Sequence, residues 1–264
     1  MQFKFALKGA VPARCLVSLV LTCLAGALFT TAAAEQSGGD HELAASIVQK
    51  ADAVRFPTEA FEASVSIESA GSDEARAVRR YRVLSKGNDN TIVQIVEPAA
   101  ERGQIMLMKG HDLWVFLPNV SQPVRFSLSQ RLTGQVANGD IARANFAGDY
   151  EPLLLRTERL EGDEAYVLEL TARERGVTYQ RVLYWVRKSN LWPIKAEFYA
   201  VSGRMLKTCT YEEFKMMAGR VRPTRLVMQD ALKPEERSVM AYSDMRHRDL
   251  PDRMFTKDYL KRLE

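Results

Sequence analysis

Ile105-Met106-Leu107-Met108-Lys109-Gly110-His111-Asp112-Leu113-Trp114-Val115-Phe116-Leu117 is apolar at every position on either side of a Lys-Gly-His-Asp turn. A strand with one wet face alternates apolar and polar side chains; a run without alternation is covered on both faces. The stretch therefore predicts a β-hairpin in a curved sheet, its inside facing a helix or a cavity and its outside meeting another element. Two readings of these residues stand side by side: a hairpin buried in the core, or one wall of an apolar ligand cavity. On the second, Met106, Met108, Trp114 and Phe116 form the wall. Thioether side chains suit such a wall because they repack around varied shapes. A slip of one residue in strand phase would exchange which of them face inward.

Outward from the hairpin the chain alternates. Phe61, Ala63, Val65 and Ile67 take turns with Glu62, Ser64, Ser66 and Glu68, and Tyr81 and Val83 with Arg80 and Arg82. That is the pattern of half-buried strands. Strand-like runs recur at 91–97, 165–173, 178–188, 193–200, 205–215, 221–229 and 238–245. Turn residues that accept positive φ separate the later ones: Gly162, Gly176, Asn190, Gly203 and Gly219. About ten or eleven strands joined by short turns make a mainly β antiparallel meander. Sequential neighbours pair, so the sheet curls and either closes or needs a plug.

Helical periodicity is confined to residues 40–55, where Leu43, Ile47, Ala51 and Val54 share a face. Asp40 or Ser37 is placed as its N-cap, and Phe56-Pro57 ends it. Residues 128–150 have no sustained period and carry Gly134, Gly139 and Gly148. A long irregular insert in a compact meander reads either as a lid over the open edge of the sheet or as a decorative loop. As a lid it sets Phe126, Phe146 and Tyr150 near the mouth of the cavity. From Leu250-Pro251-Asp252 the chain reads as a docked tail, with Thr256 as the cap of a short final helix.

The first 34 residues read as an export signal. Lys4, Lys8 and Arg14 make a basic start, residues 16–29 an apolar run, and Ala32-Ala33-Ala34 a small-residue cleavage site. The run is too short and too rich in Ala and Thr near its end for a permanent membrane span. This divides the chain into a signal at 1–34 and a single domain at 35–264, working in a bacterial periplasm. Without the signal's three basic residues the charge falls from +4 to 34 basic against 33 acidic side chains. Such a near-neutral body excludes the concentrated basic face of a nucleic-acid binder. Cys15 and Cys23 leave with the signal, so Cys209 has no partner for an internal disulfide, and stability must come from the core. Cys23 is a poor lipidation site, because Leu21 and Thr22 stand where small residues are needed.

Catalytic chemistry finds no foothold. His41, His111 and His247 have no metal-ligand spacing, and no nucleophile elbow, phosphate loop or dinucleotide fingerprint occurs. Glu161, Asp163 and Glu164, and likewise Asp149 and Glu151, read as solvated turn carboxylates. The expectation is a protein that is not an enzyme and uses no cofactor or metal.

Several segments together resemble the bacterial outer-membrane lipoprotein-sorting family, the LolA-like proteins. Lys109 to Pro118 resembles that family's Leu-Trp strand, and Pro123-Val124-Arg125-Phe126 with Ser129-Gln130-Arg131 resembles the family's next segment. Asn145-Phe146-Ala147-Gly148-Asp149-Tyr150 is similar to its aromatic loop, and Tyr184-Trp185-Val186 with Leu191-Trp192-Pro193-Ile194-Lys195 to a later hairpin. Leu250-Pro251-Asp252 through Thr256 resembles its closing motif. The resemblance implies an unclosed β-barrel wrapped around helices, with a hydrophobic cavity for acyl chains. It implies a periplasmic carrier of a lipid or lipoprotein towards the outer membrane, with an inner-membrane lipid exporter and an outer-membrane acceptor as partners. The physical need is plain: each methylene kept from water is worth about 0.8 kcal/mol, so a long acyl chain does not cross an aqueous space alone. The alternative is a regulatory or accessory periplasmic binding module, stress-sensor-like or an adaptor for a lipid exporter, that acts through a protein partner.

Overall fold

The computed structural model describes residues 27–70, 77–143, 145–160 and 162–260, with side chains from residue 40 onward. The expected export signal up to Gly26, with Cys15 and Cys23, lies outside the described residues, as do Glu161 and the last four residues of the tail. Two compact units part after Asp40; the second, His41–Glu264, holds the whole sheet.

Helix α1 (Ala27–Arg55) begins well before the expected start, so neither Ser37 nor Asp40 is an N-cap. Its buried stripe is Ala44, Ile47, Val48 and Ala51, at the i, i+3, i+4, i+7 spacing of one helical face, while Leu43 is 43% exposed. The helix stops at Phe56-Pro57, and the Arg222 Nη1 donates to the carbonyls of Ala53 at 2.8 Å and Val54 at 3.2 Å. A guanidinium there satisfies carbonyls that the helix leaves open and complements the negative end of its dipole.

The first strands form a meander: β1 (Phe61–Ala70), β2 (Ala77–Lys86), β3 (Asn90–Glu97), β4 (Ile105–Lys109), β5 (Asp112–Phe116) and β6 (Val124–Phe126). The insert contributes a separate small ladder, β7 (Arg131–Thr133) with β8 (Val136–Ala137), then α2 (Asn138–Ala142) and α3 (Phe146–Asp149). The second half runs β9 (Tyr150–Leu160), β10 (Asp163–Ala172), β11 (Arg181–Arg187), β12 (Pro193–Tyr199), β13 (Met205–Met217), β14 (Arg220–Asp230) and β15 (Arg237–His247). One antiparallel sheet of 13 strands results, in the order β6-β5-β4-β3-β2-β1-β15-β14-β13-β12-β11-β10-β9. β1 pairs with β15, which joins the two halves, and β6 and β9 remain as free edges, so the sheet is not closed into a barrel.

The alternation of β1 explains its place. Phe61, Ala63, Val65 and Ile67 are at most 2% exposed and point to the concave side, where α1 packs. The 105–117 hairpin lacks alternation because its two faces meet different covers. Met106 lies opposite Val115 and Met108 opposite Leu113, all in the inner core with α1. Leu107 lies opposite Trp114 and Ile105 opposite Phe116, on the convex side. There the chain end folds back: Leu250, Phe255 and Leu260 pack on Leu84, Ile92, Leu107 and Phe116. The Lys257 ammonium sits 4.0 Å from the Trp114 ring centre, and Thr256 Oγ1 accepts the Tyr259 amide at the start of α4 (Lys257–Leu260). Each large apolar side chain so buried contributes roughly 1.5–3 kcal/mol.

Candidate functional site

The site is the concave face of the sheet and what fills it. α1 and the insert both pack on it, and a small set of polar contacts links them to each other and to the strands. At the end of α1, Asp52 is buried and its carboxylate accepts the Ala147 amide of α3 at 2.7 Å and Arg55 Nη1 at 3.0 Å. Burial raises the Asp52 pKa to about 6, against the opposing pull of Arg55. The Arg55 guanidinium lies 4.0 Å from the Phe146 ring centre and 5.8 Å from that of Tyr211. Its Nε, and the Tyr184 hydroxyl, are buried without a hydrogen-bond partner.

The insert is tied at two further points. Asp140 of α2 takes Lys207 Nζ of β13 at 2.5 Å, the Tyr179 hydroxyl at 2.8 Å and the Ala137 amide at 2.7 Å. Both members of the Lys207–Asp140 pair are buried. Arg143 binds Asp149 through Nε at 2.6 Å, Asp89 at 2.8 Å and the Gly110 carbonyl at 3.1 Å, and His111 Nε2 lies 3.0 Å from Asp149. The insert therefore grips the β4–β5 turn as well as β13. Gly139 is required where α2 meets the segment between β10 and β11, since a Cβ there would overlap the Thr178 side chain. Gly134, at φ +50°, lies against the hydroxyls of Ser69 and Ser238.

The interior cavity, bordered by Arg55, Phe146, Tyr150, Tyr179, Tyr211 and Met228, is about 20 Å³, room for about one water. Ligand pockets for molecules of drug size are roughly 300–1,000 Å³. Side chains of α1 and the insert, among them Ile47, Ala51, Ile141 and Phe146, fill the concave face. Two roomier hollows are surface grooves: about 340 Å³ beside Gln135 and Lys207, and about 410 Å³ beside Ala70, Arg237 and Val239.

The seven residues read as cavity wall and mouth divide among three places. Met106, Met108, Phe146 and Tyr150 are brought together in the inner core, with Phe146 and Tyr150 in edge-to-face contact at 5.5 Å. Trp114 and Phe116 stand on the convex face under the chain end, because successive side chains of a strand point to opposite sides and their partners across the hairpin are Leu107 and Ile105. Phe126, on edge strand β6, is 37% exposed. Tyr184 and Tyr211 join them in the inner core, Arg55 borders the interior cavity and Lys207 the groove beside Gln135; the sequence alone does not single these out. A signal for two of them exists: Tyr184 keeps phase with Val182 and Val186, and Tyr211 with Cys209. Cys209 is buried, and burial pushes its thiol pKa up to about 12, which leaves it unreactive.

Among the described residues no three His, Cys, Asp or Glu side chains converge to hold a metal, and no helix is long and apolar enough to cross a membrane. An open antiparallel sheet curled around a helix, with an apolar concave face and a capping insert, is the architecture of lipoprotein-carrier-like proteins. The chain belongs to the LolA superfamily. It is 63% identical to a LolA superfamily protein from Nitrosomonas europaea, with a TM-score of 0.79 over 82% of this chain and 98% of that one. It shares its fold with an outer membrane lipoprotein-sorting protein domain from Vibrio parahaemolyticus, at 22% identity and TM-score 0.70 over 84% and 99% of the two chains. A DUF1329 family protein from Desulfovibrio piger matches likewise, at 22% identity and TM-score 0.72 over 84% and 99%. A family model described only as an uncharacterized protein matches residues 87–262. No curated protein matches the chain in sequence.

Proposed function

We propose that this protein is a periplasmic carrier that shelters the acyl chains of a lipid or lipoprotein against the concave face of its sheet. In this reading residues 1–34 are a cleaved export signal and 35–264 the carrier domain. The observation that carries it is how the concave face is covered. Its apolar lining, from Met106 and Met108 through Val65 and Tyr242 to Leu168 and Leu170, is closed by α1 and the insert and not by a second sheet. In this reading a guest displaces the cover, and the contacts at Asp52, Asp140 and Arg143 open with it. An acyl chain that replaces it keeps the same apolar surface dry. Delivery then needs an acceptor that binds the chain more tightly. The test is native mass spectrometry of the protein prepared from membranes without detergent, with uptake of a fluorescent fatty acid measured beside it. Co-purified lipid and saturable uptake are expected; an empty protein that takes up no fatty acid overturns the reading.

One observation favours the second reading, a binding module that acts through a protein partner: the interior cavity of about 20 Å³. A partner bound stably in a crosslinked pulldown, by a protein that takes up no lipid, would select it.

A further inference from the structure

On the convex face, remote from α1 and the insert, three arginines converge on one carboxylate. Glu62 of β1 accepts Arg82 Nε at 2.7 Å, Arg248 Nη1 at 2.5 Å and Arg246 Nη2 at 3.4 Å. The sequence places them so. Glu62 is outward in the β1 alternation, Arg246 is its direct partner on β15, and Arg82 stands across from Ser64 on β2. Arg248 lies just past β15, where its amide donates to the Ala60 carbonyl at 3.0 Å. Among the described residues no second carboxylate lies within ion-pair distance of these three guanidinium groups.

The charge count decides what the cluster can do. One buried carboxylate, 11% exposed, neutralises one of three positive charges. The three arginines are 41%, 68% and 39% exposed, so they lie above Glu62 and keep N–H donors toward solvent. Between them the sheet carries the small hydroxyl side chains of Ser64 and Ser243, paired in register and exposed. Like charges held together repel unless a counter-anion joins them. Planar guanidinium forks match oxyanions with several acceptor atoms, phosphate above all. We infer that Arg82, Arg246 and Arg248, arranged by Glu62, form a binding site for a phosphate group on the outer face of the sheet. The site is independent of acyl-chain shelter in the interior. If both hold, the phosphate is that of a phospholipid headgroup at a membrane surface; a free phosphate is the other source of the same chemistry.

The experiment has two arms. In one, the full chain is sedimented with phosphatidylcholine vesicles with and without phosphatidylglycerol; in the other, inorganic phosphate is titrated by calorimetry. Binding in either arm is expected to weaken about fivefold for each of Arg82→Gln and Arg246→Gln, to fade as salt rises, and to stay unchanged in Lys195→Gln on a different strand. Vesicle binding assigns the headgroup, and phosphate binding with indifference to vesicles assigns the free ion. Glu62→Gln separates a binding site from a structural ion cluster. It raises the local charge by one and should tighten anion binding, whereas a merely structural cluster would lose stability with no gain in affinity. Arg246 is exposed enough to be replaced without loss of the fold, so the test stands even if Glu62→Gln fails to fold. Absence of binding in both arms, or equal binding by wild type and the arginine variants, overturns the proposal.

Discussion

The Asp52 carboxylate receives the backbone amide of Ala147 at 2.7 Å, joining α1 to α3 across 95 positions of sequence. The same carboxylate holds Arg55, so one buried acid sets both the end of the helix and the seat of the insert.

Its titration gives the first expectation. The folded pKa of about 6 lies above the ordinary value of 3.8, so folding favours the protonated acid. The stability this group contributes is complete below about pH 3.8 and is lost as pH rises through about 6. The difference is on the order of 3 kcal/mol. Urea midpoints measured from pH 4 to 7 should show the loss in wild type, and Asp52→Asn should flatten it in that window. Glu62 acts oppositely: its carboxyl is held down to about 2 despite burial, by its arginine neighbours, so its contribution disappears only in stronger acid, as pH falls from about 4.5 through 2.

Lys207→Met breaks the buried pair with Asp140 and leaves that carboxylate with Tyr179 and the Ala137 amide. A cost of about 3–5 kcal/mol is expected. Hydrogen exchange should quicken first in residues 131–142. Lys207→Met with Asp140→Leu should recover much of the loss, since an apolar pair removes the uncompensated charge.

Gly139→Ala forces a methyl into the Thr178 side chain. About 1–3 kcal/mol of overpacking is expected in thermal or chemical denaturation. Thr178→Ala in the same chain should restore part of it, because two of the three overlapping atoms are then gone.

The two faces of the hairpin give a paired test. Met108→Ala should cost about 2–5 kcal/mol by opening a cavity against α1, without effect on the chain end. Trp114→Ala removes the ring under Lys257 and should raise proteolysis within residues 250–260 while leaving the inner core protected. Equal effects of both on both faces would contradict the division of the hairpin.

The fold was largely legible, for local reasons. β1 alternates because one side is dry and the other wet, and the 105–117 hairpin does not because both sides are dry. Several elements escaped, the three-residue edge strand β6 among them. The start of α1 did, because its stretch before residue 40 has no amphipathic period to read. β9 did, because an edge strand with Pro152 and a register shift between Leu154 and Arg156 lacks clean alternation. The short ladders of the insert did, because they are two or three residues long. The site was legible only in part, since Trp114 and Phe116 differ from Met106 and Met108 by phase alone, and composition cannot tell the faces apart. Arg55 and Lys207 became visible only with the tertiary contacts, because charged residues deep in a core are unusual and local sequence does not mark them.

Arg222 gives α1 one fixed terminus. Asp52 holds the same end to Ala147, and towards the other end His41 lies 2.9 Å from Glu151 of β9. With both ends moored, helix and sheet stay in register unless the contacts at each end are broken together.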